Sequence, residues 1–370
     1  MFPLTVWGLA LGQALLTTGN ILLVTVTALI GQELAPSMAM VTLPVTLQFL
    51  GLMSATLPAA LFMEALGRKL GFLVGNIIGV VGAFLALWAL QEHSFMWFCL
   101  STTLLGIAIG VGQQYRFAAV EVCASHQHAK AISIVMAGGI LAAFLGPNLA
   151  VWAKDMFPES MFLGPFTVLA GLYIFTMLLI LSLPLPKVQA QAAKSNKTPY
   201  LTLLKRPSLI SAIAAGSIGY GVMVLVMTAT PLAMKAQGFE FAAIAKVIQW
   251  HVLGMFLPSF FTGSLINRFG SRTIILVGGS LLVACNLLAQ FGFDFWLFLL
   301  ALMLLGVGWN FTFIGATALL TKVYAPQEKA QVQGVNDMLV FGFSALGSLF
   351  AGALELNLGW QVLNLLMLPF

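Results

Sequence analysis

The sequence predicts an all-α membrane protein made of two six-helix bundles, and three observations predict it. Of 370 residues, 60% are hydrophobic and only 7% charged, whereas soluble domains carry roughly 25% charged residues. Apolar runs long enough to cross about 30 Å of hydrocarbon, roughly 20 residues each, follow one another almost end to end. One polar stretch, "PKVQAQAAKSNKTPYLTLLKRP", interrupts them near the middle, and the sequences on its two sides resemble each other.

Eleven complete spans follow in order. Helix one, 5–30, lacks a basic leading segment and a small-residue cleavage site, so it reads as a retained helix and not a signal peptide. Helices two and three, 38–63 and 70–90, are joined by a short loop around Glu64–Lys69. Helix four, 95–118, closes on "GQQYR"; helix five, 131–153, contains "LGPNLAV"; helix six is 163–184. Helix seven, 207–230, opens the second half, and helix eight, 243–264, contains "VIQWHVLGMF". Helices nine, ten and eleven are 272–291, 295–319 and 332–353. The run Gly359–Phe370 is too short to cross a bilayer and reads as the start of a truncated twelfth helix. The domain reading is therefore a bundle over 1–185, a linker over 186–206 and a second bundle over 207–370.

Orientation follows from the basic residues of short loops. With the N-terminus cytoplasmic, 13 of the 16 lysines and arginines fall on that side, and only Lys154, Lys235 and Lys246 on the other. The net charge of +5 thus belongs to loops, with no single patch that would suit a nucleic acid. Cys99, Cys123 and Cys285 show no CxxC spacing and read as packing residues. No phosphate-binding G-x-x-x-x-G-K-[ST] occurs, which argues against ATP-driven transport within this chain, and no metal or cofactor is expected.

The halves repeat. "ALFMEALGRKLGFLVG" at 60 aligns without gaps on "GSLINRFGSRTIILVG" at 263, "LLGIAIG" at 104 on "LLGVGWN" at 304, and "VCASHQHAK" at 122 on "VYAPQEKAQ" at 323. Three matches in order at offsets of 200–203 imply duplication. The loop between helices two and three resembles the G-x-L-A-D-R-x-G-R-R/K signature of the major facilitator superfamily in Glu64, Gly67, Arg68 and Lys69. Its second copy keeps Gly263, Leu265, Asn267, Arg268, Gly270 and Arg272. Gly146 and Pro147 are similar to the helix-five G-P-x-x-G-G of antiporters, but Ala150 and Val151 replace its closing glycines, and Thr102 stands where antiporters carry an arginine. The stretches "GQQYRFAA", "QWHVLGMF" and "GVGWNF" look like a group of bacterial permeases in this superfamily, one branch of which is associated with riboflavin. The resemblance implies two bundles rocking about a central site in the bacterial inner membrane.

Polar side chains near span centres are then the candidates for substrate binding. They are Asn20, Gln113, Gln114 and Tyr115 in the first half, and Tyr220, Gln249, Trp250, His251, Trp309 and Asn310 in the second. His251 lies about nine residues into its span, near mid-membrane. It is expected either to bond solute or proton, or to hold a neighbouring helix through a backbone carbonyl. Trp250 and Trp309 offer flat faces to an aromatic solute, the alternative being ordinary packing. Gly106 and Gly110 read as a close helix contact. Neither half shows a carboxylate deep in a span, leaving His251 or Asp337 as proton carriers.

Arg116 and Asp337 are expected to pair when the cytoplasmic side closes, or else Arg116 joins Glu121 and Glu64 with Arg68 or Lys69 in a latch. Gly67 and Gly270 are expected to permit sharp turns, and Glu64, Arg68 and Lys69 to hold their loop against helix eleven.

The function expected is transport of a small organic solute, with or without a proton, by a monomer. Uptake of a vitamin-like heterocycle is preferred; a proton-coupled exporter and a sensor or scaffold of the same fold are the alternatives. An enzyme is not expected, since no HExxH, GxSxG or paired midplane acids occur.

Overall fold

The computed structural model describes residues 3–124, 128–157, 162–185, 203, 205–325 and 328–370. Most of the expected linker, with Lys187, Lys194 and Lys197, lies outside the described residues. The chain divides into two compact units, Met1–Gln191 and Ala192–Phe370.

In the first unit helix one is Leu4–Leu34, helix two Leu43–Leu66, helix three Arg68–Gln91 and helix four Phe95–Gly112. A short continuation of helix four, Tyr115–Glu121, follows a break at Gln113 and Gln114. Helix five is His128–Ala153 and helix six Leu163–Ser182. In the second unit helix seven is Pro207–Ala236, helix nine Ser271–Leu288 and helix ten Phe295–Leu320. Helix eight is broken into Phe241–Phe256 and Ser259–Phe269, bent by 42°. Helix eleven starts at Lys329 and runs to Leu358; Gly359, at φ 78°, turns the chain into a short helix ending at Leu366. Among the described residues ten helices, or eleven with the bent pair, are long and apolar enough to cross a membrane.

Helix packing repeats between units as the sequence does. Helix one packs on five as seven packs on eleven; two on four as eight on ten; three on four as nine on ten. The two signature glycines share one conformation, Gly67 at φ 95°, ψ 153° and Gly270 at φ 84°, ψ 153°. Only glycine adopts that backbone without strain, so each lets a helix end and its successor begin one residue later.

Candidate solute-handling residues

The crossing of helices two and four is built on glycines. A Cβ at Gly110 would meet the Leu52 carbonyl oxygen at 2.7 Å, and one at Gly106 would collide with the Gln48 carbonyl. The second unit copies this crossing: a Cβ at Gly254 would meet the Met303 carbonyl oxygen at 2.9 Å, and one at Gly306 would collide with that of His251. Gln48 and His251 are thus the same position of the repeat, 203 residues apart. Both are buried polar side chains, but they bond in different directions, Gln48 to helix one and His251 to helix ten. Gln48 Nε2 donates to Asn20 Oδ1 at 2.8 Å. His251, with no exposed surface, places Nδ1 2.8 Å from the Leu302 carbonyl oxygen of helix ten. A carbonyl only accepts, so Nδ1 carries the ring proton. Nδ1 thus attaches helix eight to helix ten, while Nε2 is buried with no hydrogen-bond partner among the described residues, so both expected roles keep a ring nitrogen.

Asn310 stands where the first unit has Gly110. Pro258 cannot donate to the Gly254 carbonyl, so helix eight breaks there. Asn310 fills the gap: Nδ2 donates to the Met255 carbonyl at 2.6 Å and to Ser259 Oγ at 2.7 Å, while Oδ1 accepts from Thr262 Oγ1 at 2.6 Å. Both amide hydrogens are spent on the break, and the residue is fully buried. Expected as a substrate ligand, Asn310 is a brace in this conformation.

Two further candidates lie in the first unit's own core. Tyr115 stacks on Phe72 with ring centroids 4.3 Å apart and accepts from Asn76 Nδ2 at 3.3 Å, buried on all sides. Gln114 accepts from Arg68 Nη1 at 3.2 Å. That guanidinium also pairs with Glu121, Nη2 to Oε1 at 2.6 Å, so the latch is Arg68 with Glu121 and Gln114. Arg116 lays its guanidinium over the Phe117 ring at 4.9 Å, and Glu64 is exposed. Lys69 donates to the Leu181 and Leu183 carbonyls at 2.7 and 3.1 Å, a cation on the C-terminal end of helix six. Arg68 and Lys69 are therefore engaged within the first unit. Gln113 caps the first segment of helix four through its backbone N–H.

The second unit gathers its rings. Trp309 stacks on Phe313, centroids 5.1 Å apart and planes 9° apart. Tyr220 stands edge-on to Trp309, Phe313 and Phe341 at 5.2, 5.4 and 6.1 Å, and Phe256 edge-on to Trp309 at 6.5 Å. Helices seven, eight, ten and eleven each contribute. The Trp309 indole nitrogen is buried with no hydrogen-bond partner among the described residues. Trp250, 38% exposed, makes none of these ring contacts, while Gln249 is buried.

Around the second signature loop Asn267 and Arg272 are exposed, and Arg268 lies over the Phe269 ring at 5.2 Å. Asp337 Oδ1 accepts from Asn336 Nδ2 at 3.1 Å. At Gly146 a Cβ would meet Ile21 at 2.8 Å, so this glycine sets the close approach of helices five and one, and Pro147 follows it inside the same helix. A cavity of about 430 Å³ between helices seven, nine and ten is lined by apolar groups with Ser280 and Thr312. Both hydroxyls already donate to carbonyls of their own helices, so they can offer a solute only an acceptor.

Sequence reasoning missed two groups. Arg206 pairs bidentately with Glu328, Nη1 to Oε2 at 2.7 Å and Nη2 to Oε1 at 2.9 Å, closing the start of helix seven onto that of helix eleven. Glu355, left outside the predicted span, lies in helix eleven and is buried, with Oε2 unpartnered. It lies within helix eleven but one turn from its end, so the expectation of no carboxylate deep in a span is unaffected.

Duplicated helix packing, the paired signature loops and the apolar helices fit a membrane transporter, and the sequence profile of the Major Facilitator Superfamily matches residues 9–256 and 246–370. The chain belongs to that superfamily. It is 41% identical to the riboflavin transporter RfnT of Brucella anthropi over 363 residues, 98% of this chain and 91% of the relative. It is 31% identical to the uncharacterized transporter YdeG of Bacillus subtilis over 94% of this chain and 86% of that one. Among solved structures, the nucleoside transporter NupG superposes with a TM-score of 0.74 at 16% identity, covering 98% of this chain and 96% of NupG, which is a likeness of fold. The chain is a multi-pass membrane transporter of a small solute.

Proposed function

We propose that this transporter takes up riboflavin, or a flavin of the same ring system, across the bacterial inner membrane by alternating access, with its N-terminus cytoplasmic. The observation that carries the proposal is the 41% identity to a riboflavin transporter along 98% of the chain. The ring cluster supports it. Riboflavin is a flat, polar, uncharged heterocycle, which suits stacking surfaces plus isolated hydrogen-bond donors better than buried cations. Trp309 supplies one such donor, Nε1–H, which lacks a partner among the described residues. A buried donor without a partner costs about 1–3 kcal/mol, a cost that a ring carbonyl or nitrogen of the solute would remove.

The test is riboflavin binding to the purified protein by quenching of flavin fluorescence, with Trp309→Phe alongside. Phe keeps the stacking face and deletes the donor. Its expected effect is a loss of affinity of roughly 5- to 100-fold. No saturable riboflavin binding by the unaltered protein would refute the substrate; unchanged affinity in Trp309→Phe would refute the site.

A further inference from the structure

We infer that Glu355 is a proton-binding site that couples solute movement to a proton gradient. Val340, Ser344, Gly347, Ala351 and Glu355 recur every three or four residues along helix eleven. A Cβ at Gly216 would meet Val340 Cγ2 at 3.9 Å, and one at Gly347 would meet Leu225 Cβ at 3.4 Å, so this face lies on helix seven and the two helices run parallel. Continuing that register brings Glu355 level with residues 229–233 of helix seven. Glu355 is 7% exposed, Oε2 has no hydrogen-bond partner, and no ion pair with it is found among the described residues.

The surroundings offer no counter-charge. Helix seven carries no titratable side chain from Pro207 to Met234 except Tyr220, and its Lys235 is exposed. Helix nine has Arg272, also exposed, and the buried thiol of Cys285, which offers no positive charge; helix ten has only the capping Asp294, which accepts from the Trp296 and Leu297 N–H groups. Helix eight has the exposed Lys246, and His251 already bonded to Leu302. Asp337 of helix eleven itself is 18 residues away in sequence, about 27 Å along the axis. The residues after Gly359 add no charge. Glu355 also sits three residues before the C-terminal end of helix eleven at Leu358, where the helix dipole repels an anion. An ionised carboxylate inside a membrane is costly unless paired. A proton needs no ligand besides the carboxylate, and among the described residues no group of three or more His, Cys, Asp or Glu side chains that could hold a metal ion exists.

The site lies one helical turn from the end that the proposed orientation places outside. A proton loaded there when the outer side opens would neutralise Glu355, and burial of the neutral group would accompany closure. The proton binds a carboxylate oxygen on one side and leaves from the same oxygen on the other.

Two measurements separate this from the substrate reading. Infrared difference spectra of the protein in lipid should show a deuterium-sensitive carbonyl band of a protonated carboxylic acid, missing in Glu355→Gln. The coupling half rests on the riboflavin reading. In proteoliposomes an inward proton gradient should raise riboflavin accumulation about tenfold in the unaltered protein and not in Glu355→Gln, whose exchange of labelled for unlabelled riboflavin should stay within about twofold, showing that it is folded. An unchanged infrared band in Glu355→Gln, or gradient-driven accumulation by Glu355→Gln equal to that of the unaltered protein, overturns the inference. If the unaltered protein exchanges no riboflavin, the substrate reading fails while the infrared band alone decides the proton site.

Discussion

If Asn310 braces the break in helix eight, its loss should cost stability in proportion to the bonds removed, and the cost should shrink once the break is repaired. Asn310→Ala deletes three hydrogen bonds of 2.6–2.7 Å. Side-chain bonds between membrane helices are worth about 0.6 kcal/mol on average and at most about 1.7. The sum is roughly 2–5 kcal/mol, or ~3–8 °C in melting temperature for a chain of this size. Asn310→Asp keeps the shape but turns an acceptor toward the Met255 carbonyl, and should cost at least as much. Pro258→Ala returns an N–H able to bond the Gly254 carbonyl, so the two halves of helix eight can join. With both substitutions, the loss should fall short of the sum of the single losses by about 1 kcal/mol or more, the coupling expected of groups in one network. The assay is a double-mutant cycle of thermal melts in one detergent. An Asn310→Ala protein that melts within a degree of the unaltered one, or costs that simply add, would refute the brace.

Three further outcomes follow from the placement of the other polar groups. His251→Gln, which restores the repeat-equivalent residue of the first unit, should leave riboflavin affinity within about twofold and stability nearly unchanged, whereas His251→Leu should lose about 1 kcal/mol through the Leu302 bond; a tenfold loss of affinity in His251→Gln would instead make it a solute ligand. Arg68→Glu and Glu121→Arg should each impair transport and together restore part of it, with less than about 1 kcal/mol on stability because the pair is partly exposed; no recovery in an uptake assay would count against the latch. Exchanging the charges of Arg116 and Asp337 should likewise recover transport if they pair when one side closes, and additive damage would exclude that gate.

Helix number, order and duplication were legible because hydropathy and a gapless repeat report on whole segments. Gly67 and Gly270 were legible because a helix ending one residue before its successor has one backbone solution. Depth along a span was also legible, as for His251. Direction was not: which face of helix eight meets helix ten depends on the crossing at Gly254 and Gly306, and only alignment of His251 on Gln48 would have shown that both belong to it. The partners of Tyr115 and Gln114 were hidden for the same reason, since a break at Gln113 changes the face that each presents. Pro258 sat inside an apolar run and gave no drop in hydropathy, so the break went unseen. Glu355 was missed because average hydropathy falls after residue 353, although Gly359, a helix-terminating glycine, marked the true end and the buried face of helix eleven runs on to Glu355.

The two units also show how a duplicated scaffold becomes asymmetric. At Gly110 the first unit lets helix four touch the Leu52 carbonyl of helix two, and helix two runs unbroken through Pro58. At the equivalent place the second unit has a longer side chain, a proline three residues beyond Met255, and two hydroxyls, Ser259 and Thr262, around the same amide. None of these changes is tolerable alone: Asn310 at an unbroken crossing would collide with helix eight, and Pro258 without Asn310 would leave carbonyls unpaired in the membrane. The set is coherent only as a local break, and it lies one position along helix ten from Trp309, so the geometry of the ring cluster is anchored to the break. A substitution that straightens helix eight should therefore move the Trp309 ring and weaken riboflavin binding even though it touches no ring, whereas the same repair has no counterpart to disturb at Gly110.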